Sequence, residues 1–303
     1  MELGRYLSVM VTPFNEDGSI NFKEASRLAK DMVKNGVEGL IIAATGGESA
    51  TLTLEERIEL TKFMKKELNG TAPLIVGTGT NNTNDSIRVT KEIESAGADA
   101  VLLVAPYYNK PSQEGLYRHF KSIAESTKLP VLIYNVPGRT GVNISPETIA
   151  KLAMIPNVVG MKEASGDLDQ LTKLILGVPD DFHIYTGDDN LALPALSIGV
   201  YGLISVAAQV AGREIKEMLD SYWNKDIDKA AELHQHLFPL LDVLFIVANP
   251  IPTKVALNLM GYNVGGVRLP LTMPNKAQTE QIAKVLYSLN YIDNVNINKN
   301  LYI

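Results

Sequence analysis

Lys162 closes the apolar run Val158-Val159-Gly160-Met161, and a lysine placed there carries its amine to the rim of whatever buried element that run forms. Such an amine can form a Schiff base with a carbonyl compound once desolvation favours its neutral form. The same position also suits a lysine whose stem packs on apolar surface while its head stays in water. Tyr134 closes a second apolar run, Val131-Leu132-Ile133. Its phenol could pass protons to and from a carbinolamine, or it could be a core tyrosine with a satisfied hydroxyl. Arg139 follows in Pro137-Gly138-Arg139-Thr140, where a planar guanidinium can grip a carboxylate with two parallel hydrogen bonds; taken alone it reads as a solvated surface arginine. Thr45-Gly46-Gly47 precedes a helical stretch and offers bare backbone N–H groups that could cradle a carboxylate.

Other chemistries fit poorly. The chain has no cysteine, which excludes disulfides, thiolate metal sites and a cysteine nucleophile. Of its four histidines, His234 and His236 are two apart on a helical stretch and face different ways, so no metal is expected. Gly77-Thr78-Gly79-Thr80 lacks the third glycine of a dinucleotide fingerprint, and no phosphate-binding Gly-Lys-Ser/Thr loop occurs, so no organic cofactor is expected either. A formal charge of −6 without a Lys/Arg cluster argues against nucleic acid or an anionic membrane as partner. The first residues carry Glu2 and Arg5 and no apolar signal core, and the greasiest stretch, 237–248, is interrupted by Pro239 and Asp242 and falls short of the roughly 20 residues that span a bilayer. A cytoplasmic protein acting on a small molecule is expected.

These residues need a scaffold, and the hydrophobic pattern supplies one. At 303 residues, 46% of them hydrophobic and 20% charged, the chain can bury a large core. Short apolar runs at 7–11, 39–44, 74–77, 100–105, 131–134, 158–162, 183–186 and 202–206 alternate with helical stretches. Phe22, Ala25, Leu28, Ala29, Met32 and Val33 form one apolar helical stripe. Thr53 with Glu56 reads as a capping box, and Ser145-Pro146-Glu147 as an N-cap with proline at the first helical position. Runs as uniformly apolar as 100–105 suit parallel strands covered on both faces. Eight such units predict an α/β fold, a (β/α)8 barrel over 1–225, followed by a helical C-terminal appendage over 226–303. In that fold the strands' C-terminal ends carry the active site, which is where Thr45, Tyr134 and Lys162 fall.

Tyr134-Asn135-Val136-Pro137, followed at barrel-strand spacing by Gly160-Met161-Lys162-Glu163-Ala164, resembles the lysine-type pyruvate aldolases of the dihydrodipicolinate synthase and N-acetylneuraminate lyase superfamily. The resemblance runs from Thr12-Pro13-Phe14 through Pro106-Tyr107-Tyr108-Asn109 and Thr186-Gly187-Asp188-Asp189 to Asn249-Pro250-Ile251-Pro252 and Arg268-Leu269-Pro270. It implies a lyase that joins pyruvate to L-aspartate 4-semialdehyde, giving 4-hydroxy-tetrahydrodipicolinate on the way to diaminopimelate and lysine, without metal or organic cofactor. By the same resemblance Lys162 is the nucleophile. Tyr134 relays protons with Thr45 and with Tyr108 from a neighbouring subunit, Arg139 holds the semialdehyde carboxylate, and Gly46, Gly187 and Ile204 line the pyruvate pocket. A homotetramer, a dimer of dimers, is implied.

Two departures from the family pattern carry expectations. Where the family usually reads Gly-Thr-Thr-Gly-Glu this chain has Ala44-Thr45-Gly46-Gly47-Glu48, which removes one hydroxyl from the carboxylate pocket. Ser49, Ala50, Asn81 and Tyr107 match the family's lysine feedback site, but Leu54 replaces a frequent histidine and Asp85 the usual glutamate, so weak or absent lysine inhibition is expected. Two rival readings stand beside the synthase: a lyase for 2-keto-3-deoxy sugar acids or N-acetylneuraminate using the same lysine, and a non-catalytic barrel that senses an acidic metabolite.

Overall fold

Each apolar run becomes a parallel strand, and the eighth pairs with the first to close a barrel. The computed structural model describes residues 2–295. Its strands are β1 (Tyr6–Val9), β2 (Gly39–Ile42), β3 (Leu74–Gly77), β4 (Ala100–Val104), β5 (Val131–Asn135), β6 (Val158–Glu163), β7 (His183–Thr186) and β8 (Gly202–Ser205). The helices around them are α1 (Phe22–Lys34), α2 (Leu54–Leu68), α3 (Thr83–Ser95), α4 (Gln113–Ala124), α5 (Pro137–Thr140), α6 (Pro146–Leu152), α7 (Leu168–Gly177), α8 (Ala192–Ser197) and α9 (Ala208–Trp223). Helices α10 (Ile227–Val243), α11 (Ile251–Leu259) and α12 (Lys276–Ser288) follow the barrel. Of the helical appendage expected over 226–303, residues 296–303 lie outside the described ones. No helix among the described residues is long and apolar enough to cross a membrane.

Strand alternation sorts side chains into two layers. Leu132, Tyr134 and Val136 point into the barrel with Leu7, Ile41, Ile75 and Ile204. Val131 and Ile133 point outward and pack under the helices with Leu40, Val76 and Met161. The helices are held as their sequences require. Thr53 accepts from Glu56 N at 3.2 Å while Glu56 Oε2 accepts from Thr53 N at 2.9 Å, so the capping box at the start of α2 is complete. Ser145 Oγ caps α6 by accepting from Thr148 N at 3.3 Å.

Some strand ends differ from the sequence pattern for local reasons. β1 ends at Val9, and the Val11 N–H donates to Gln209 Oε1 at 2.7 Å rather than to a neighbouring strand. β2 stops at Ile42 because Ala43 turns into the left-handed region, with φ 49°. One irregularity matters more. Val131 pairs with Val158 but Leu132 pairs with Gly160, so Val159 is an extra residue in β6. A slip of one residue exchanges the faces of a strand. Here the bulge brings Lys162, rather than Met161, opposite Tyr134. Gly160 is glycine because of a close approach: a Cβ there would lie 2.3 Å from His183 O on β7.

Candidate active site

At the C-terminal mouth of the barrel a cavity of about 140 Å3 is lined by Thr45, Gly46, Tyr134, Arg139, Lys162 and Gly187, among others. Lys162 is only 3% exposed, and its Nζ lies 4.8 Å from the centre of the Tyr134 ring. This arrangement follows from register, since Tyr134 and Lys162 are direct neighbours across β5 and β6. The amine is therefore shielded from bulk water and faces a π surface that attracts its charged form.

The residues behind this pair fix it. Asn135 and Glu163, the next register pair, point outward. The Asn135 Nδ2 donates to Glu163 at 2.9 and 3.1 Å, Gln170 Nε2 donates to the same carboxylate at 3.0 Å, and Ser165 N donates at 2.8 Å. Burial raises the Glu163 carboxyl above the usual carboxylate range, opposed by these donors. A polar network satisfied in this way resists shear between the two strands that carry the amine and the phenol.

Gly187, at the end of β7, is shaped by Lys162. A Cβ there would stand 2.5 Å from Lys162 Cε and 2.9 Å from Ala164 Cβ. Gly187→Ala should therefore push the amine out of line and slow its reaction with a keto acid by roughly a hundredfold, the scale expected for a displacement of about 1 Å. Single-turnover trapping of Lys162 measures this, and an unchanged rate contradicts it.

The Thr45–Gly47 turn is narrower as an anion cradle than its sequence suggests. Gly47 N donates to Ala44 O at 3.0 Å, and only Thr45 and Gly46 keep N–H groups without a protein acceptor. The turn is braced from the segment after β1, where Thr12 Oγ1 donates to Gly47 O at 2.6 Å. Behind it, Glu48 sits in the left-handed region with φ 55° and meets Lys254 Nζ at 2.7 Å, with side chains 1% and 0% exposed. That contact is an ion pair without the alignment of a good hydrogen bond; Glu48 Oε2 accepts instead from Arg268 N at 2.9 Å.

Arg139 lies on α5, exposed at the mouth, and its Nη2 donates to Asn249 O at 3.2 Å. Two expected residues are elsewhere. The Ile204 side chain is wholly buried inside the barrel, and Val206 lines the cavity in its place. Tyr108 is 89% exposed with φ 74°, and it does not line this cavity. Ser49, Ala50, Asn81, Asp85 and Tyr107 fall outside the cavity as well; Ser49 O accepts from Arg57, Asn81 O from Asn109 Nδ2 at 2.9 Å, and Asp85 is ion-paired with Arg88 at 2.8 Å.

Sequence reasoning passed over Asp188, which lines the cavity beside Lys162. Its position directly after strand seven was the available signal. Burial pushes its carboxyl up to about 6, against the pull of the Lys162 ammonium. The next residue, Asp189, is structural: its carboxylate accepts from Ser205 Oγ, from Val206 N at 2.9 Å and from Ala207 N at 3.1 Å, which ties the end of β8 to β7. Val9, Phe245 and Asn249 also line the cavity. Nothing local in the sequence marks Phe245. A wider groove of about 450 Å3 shares Ala164, Asp188 and Phe245 with the cavity.

Comparison with known proteins agrees with this fold. A curated 4-hydroxy-tetrahydrodipicolinate synthase from Desulforamulus reducens is 49% identical over 293 residues, covering 96% of this chain and 99% of that one. The enzyme of the same name from Bacillus subtilis is 52% identical over 272 residues, covering 89% and 94%. The crystal structure of a dihydrodipicolinate synthase from Bacillus anthracis superposes with a TM-score of 0.93 at 44% identity, covering 95% of this chain and 99% of that one. The model of the Dihydrodipicolinate synthetase family matches residues 2–289, and the chain belongs to that family.

Proposed function

We infer that this barrel condenses pyruvate with L-aspartate 4-semialdehyde to 4-hydroxy-tetrahydrodipicolinate, the step that leads toward diaminopimelate and lysine. The observation that carries the reading is the sequestered Lys162 amine beside Tyr134, in a cavity that also holds Arg139 and Thr45. The family relationship at about half identity over nearly the whole chain supports the same reaction.

The chemistry runs as follows. Neutral Lys162 attacks the keto carbon of pyruvate, and the carbinolamine loses water with a proton supplied through Tyr134. The imine then gives up a methyl proton to form an enamine, whose carbon attacks the aldehyde. The amino group of the semialdehyde then attacks the imine carbon and displaces the Lys162 amine, which closes the six-membered ring of the product; the one water released is that lost from the carbinolamine. The free Thr45 and Gly46 N–H groups suit the pyruvate carboxylate. Arg139 at the mouth suits the semialdehyde carboxylate, with the wider groove giving that second substrate room.

Borohydride reduction in the presence of pyruvate tests the reading. A covalent mass increase on the peptide bearing Lys162 is expected, and its absence would favour a metabolite-sensing barrel. Arg139→Ala should raise the KM for aspartate semialdehyde roughly ten- to hundredfold, the loss of a charge-assisted contact, while pyruvate trapping is unchanged. An equal loss for both substrates would remove the specific role of Arg139 and reopen the sugar-acid lyase.

The exposed, strained Tyr108 supports a homotetramer in which this phenol completes the proton relay of a neighbouring subunit. Cytoplasmic action on small soluble metabolites accords with the composition. For feedback, Leu54 lacks a polar group and Asp85 is engaged by Arg88. Millimolar lysine should leave the initial rate nearly unchanged, and potent inhibition in the coupled assay contradicts this.

A further inference from the structure

Asn249 lies between α10 and α11 and lines the same cavity as Lys162 and Thr45. It is 7% exposed, and its amide oxygen is buried with no hydrogen-bond partner. Arg139 does not satisfy it, since Arg139 bonds the backbone carbonyl of this residue. A carboxylate accepts and cannot satisfy that oxygen, so what the amide offers a keto acid is its nitrogen. Its nitrogen is the end turned to the cavity, 3.7 Å from where a Cβ on Gly46 would stand, so the group presents a donor there as it sits.

Gly46 explains what the amide faces. Its φ lies outside the left-handed region, so the backbone does not demand glycine there. Space is tight on one side: a Cβ on Gly46 would stand 3.0 Å from Val9 Cγ1, and at an ordinary contact distance of 3.7 Å from Asn249 Nδ2. The carboxylate end of the cavity is thus built from two backbone N–H groups, at Thr45 and Gly46, with the Asn249 amide across a gap that Val9 bounds. Gly46 leaves room at that end, and the amide nitrogen stands at its edge as a third donor.

We propose that Asn249 binds the carboxylate of the keto acid, its side-chain amide donating through the gap left by Gly46 and limited by Val9. The assignment rests on the aldolase reading above. It makes Val9, Gly46 and Asn249 one specificity unit, in which a side chain at residue 46 crowds Val9 and displaces the amide. Gly46→Thr alone should weaken pyruvate binding, whereas the same change made together with Val9→Ala should restore it through the new hydroxyl.

The test is borohydride trapping of Lys162 on the full-length protein across a range of pyruvate concentrations, reading the half-saturating concentration with no second substrate present. Asn249→Ala should raise it roughly tenfold, and Asn249→Asp, which places a like charge against the carboxylate, should raise it further. In the Val9→Ala/Gly46→Thr background Asn249→Ala should cost less than about threefold, because the threonine hydroxyl supplies the missing donor. A folded Asn249→Ala variant that traps at the parental concentration overturns the proposal, as does an equal penalty in both backgrounds. If Asn249→Ala does not fold, judged by circular dichroism, Gly46→Thr in the parent decides: unchanged or tighter pyruvate binding overturns it. A parent protein that fails to trap pyruvate at all would instead refute the aldolase reading.

Discussion

Lys162→Met should give a protein with no pyruvate trapping and a kcat lowered by on the order of 10^5, yet one at least as stable as its parent. The first outcome follows because a covalent mechanism has no alternative nucleophile in the cavity, and removal of a nucleophile costs on this scale. The second follows from burial. Lys162 is 3% exposed and makes no ion pair among the described residues, so replacing it with an apolar side chain of similar length removes a desolvated group at the cost of its contact with the Tyr134 ring. Thermal unfolding and steady-state kinetics on the same preparation measure both. Residual turnover above one part in about a thousand would remove Lys162 from the mechanism, and a large fall in Tm would make it structural.

Glu48→Gln should destabilise the fold by about 3–5 kcal/mol, because it strands the Lys254 ammonium in the interior. Lys254 has few other resources there: its Nζ donates to Gly266 O at 2.6 Å and lies 4.1 Å from the Phe14 ring centre. The pH dependence gives a sharper check. Burial lowers Lys254 to about 8, although Glu48 pulls it upward. Since its ordinary value is higher, the unfolded chain binds more protons between about 8 and that value, and stability from this group rises with pH across the window. Without Glu48 the folded amine gives up its proton at lower pH still. The deficit of Glu48→Gln should therefore shrink as pH approaches 8. The double variant Glu48→Gln/Lys254→Met should recover most of the loss, and denaturant titrations at two pH values decide the matter. Activity should fall with the single change as well, since Glu48 directly follows the turn that presents Thr45 and Gly46.

The barrel is readable in the sequence for physical reasons, whereas the role of Lys162 rests on the family resemblance. Strands buried on both faces leave uninterrupted apolar runs, so 74–77 and 183–186 coincide with β3 and β7. A charged residue closing such a run, as Lys162 does, can only sit at a mouth. Other features depend on contacts remote in sequence. Val11 leaves the ladder because Gln209 takes its N–H, and no local pattern around Val11 announces that. Asn249 and Phe245 reach the cavity from beyond the eighth strand, on the loop and helix end that the barrel alone does not place. Gly46 reads in the sequence as a lost hydroxyl, but only coordinates show Val9 standing against it. Ile204 lies on β8 inside the barrel, while the side chain that lines the cavity is two residues later, at Val206.

The doubled residue in β6 makes the catalytic geometry digital rather than graded. Ironing out the bulge at full strand length, so that Val159 pairs with Leu132, would not tilt the amine by a few degrees; it would hand its place to the thioether of Met161 and bury the charge among the outer helices. A redesign that regularised the ladder at the present strand length would therefore erase the reaction while improving the sheet, whereas one that also removed Val159 would keep Lys162 opposite Tyr134.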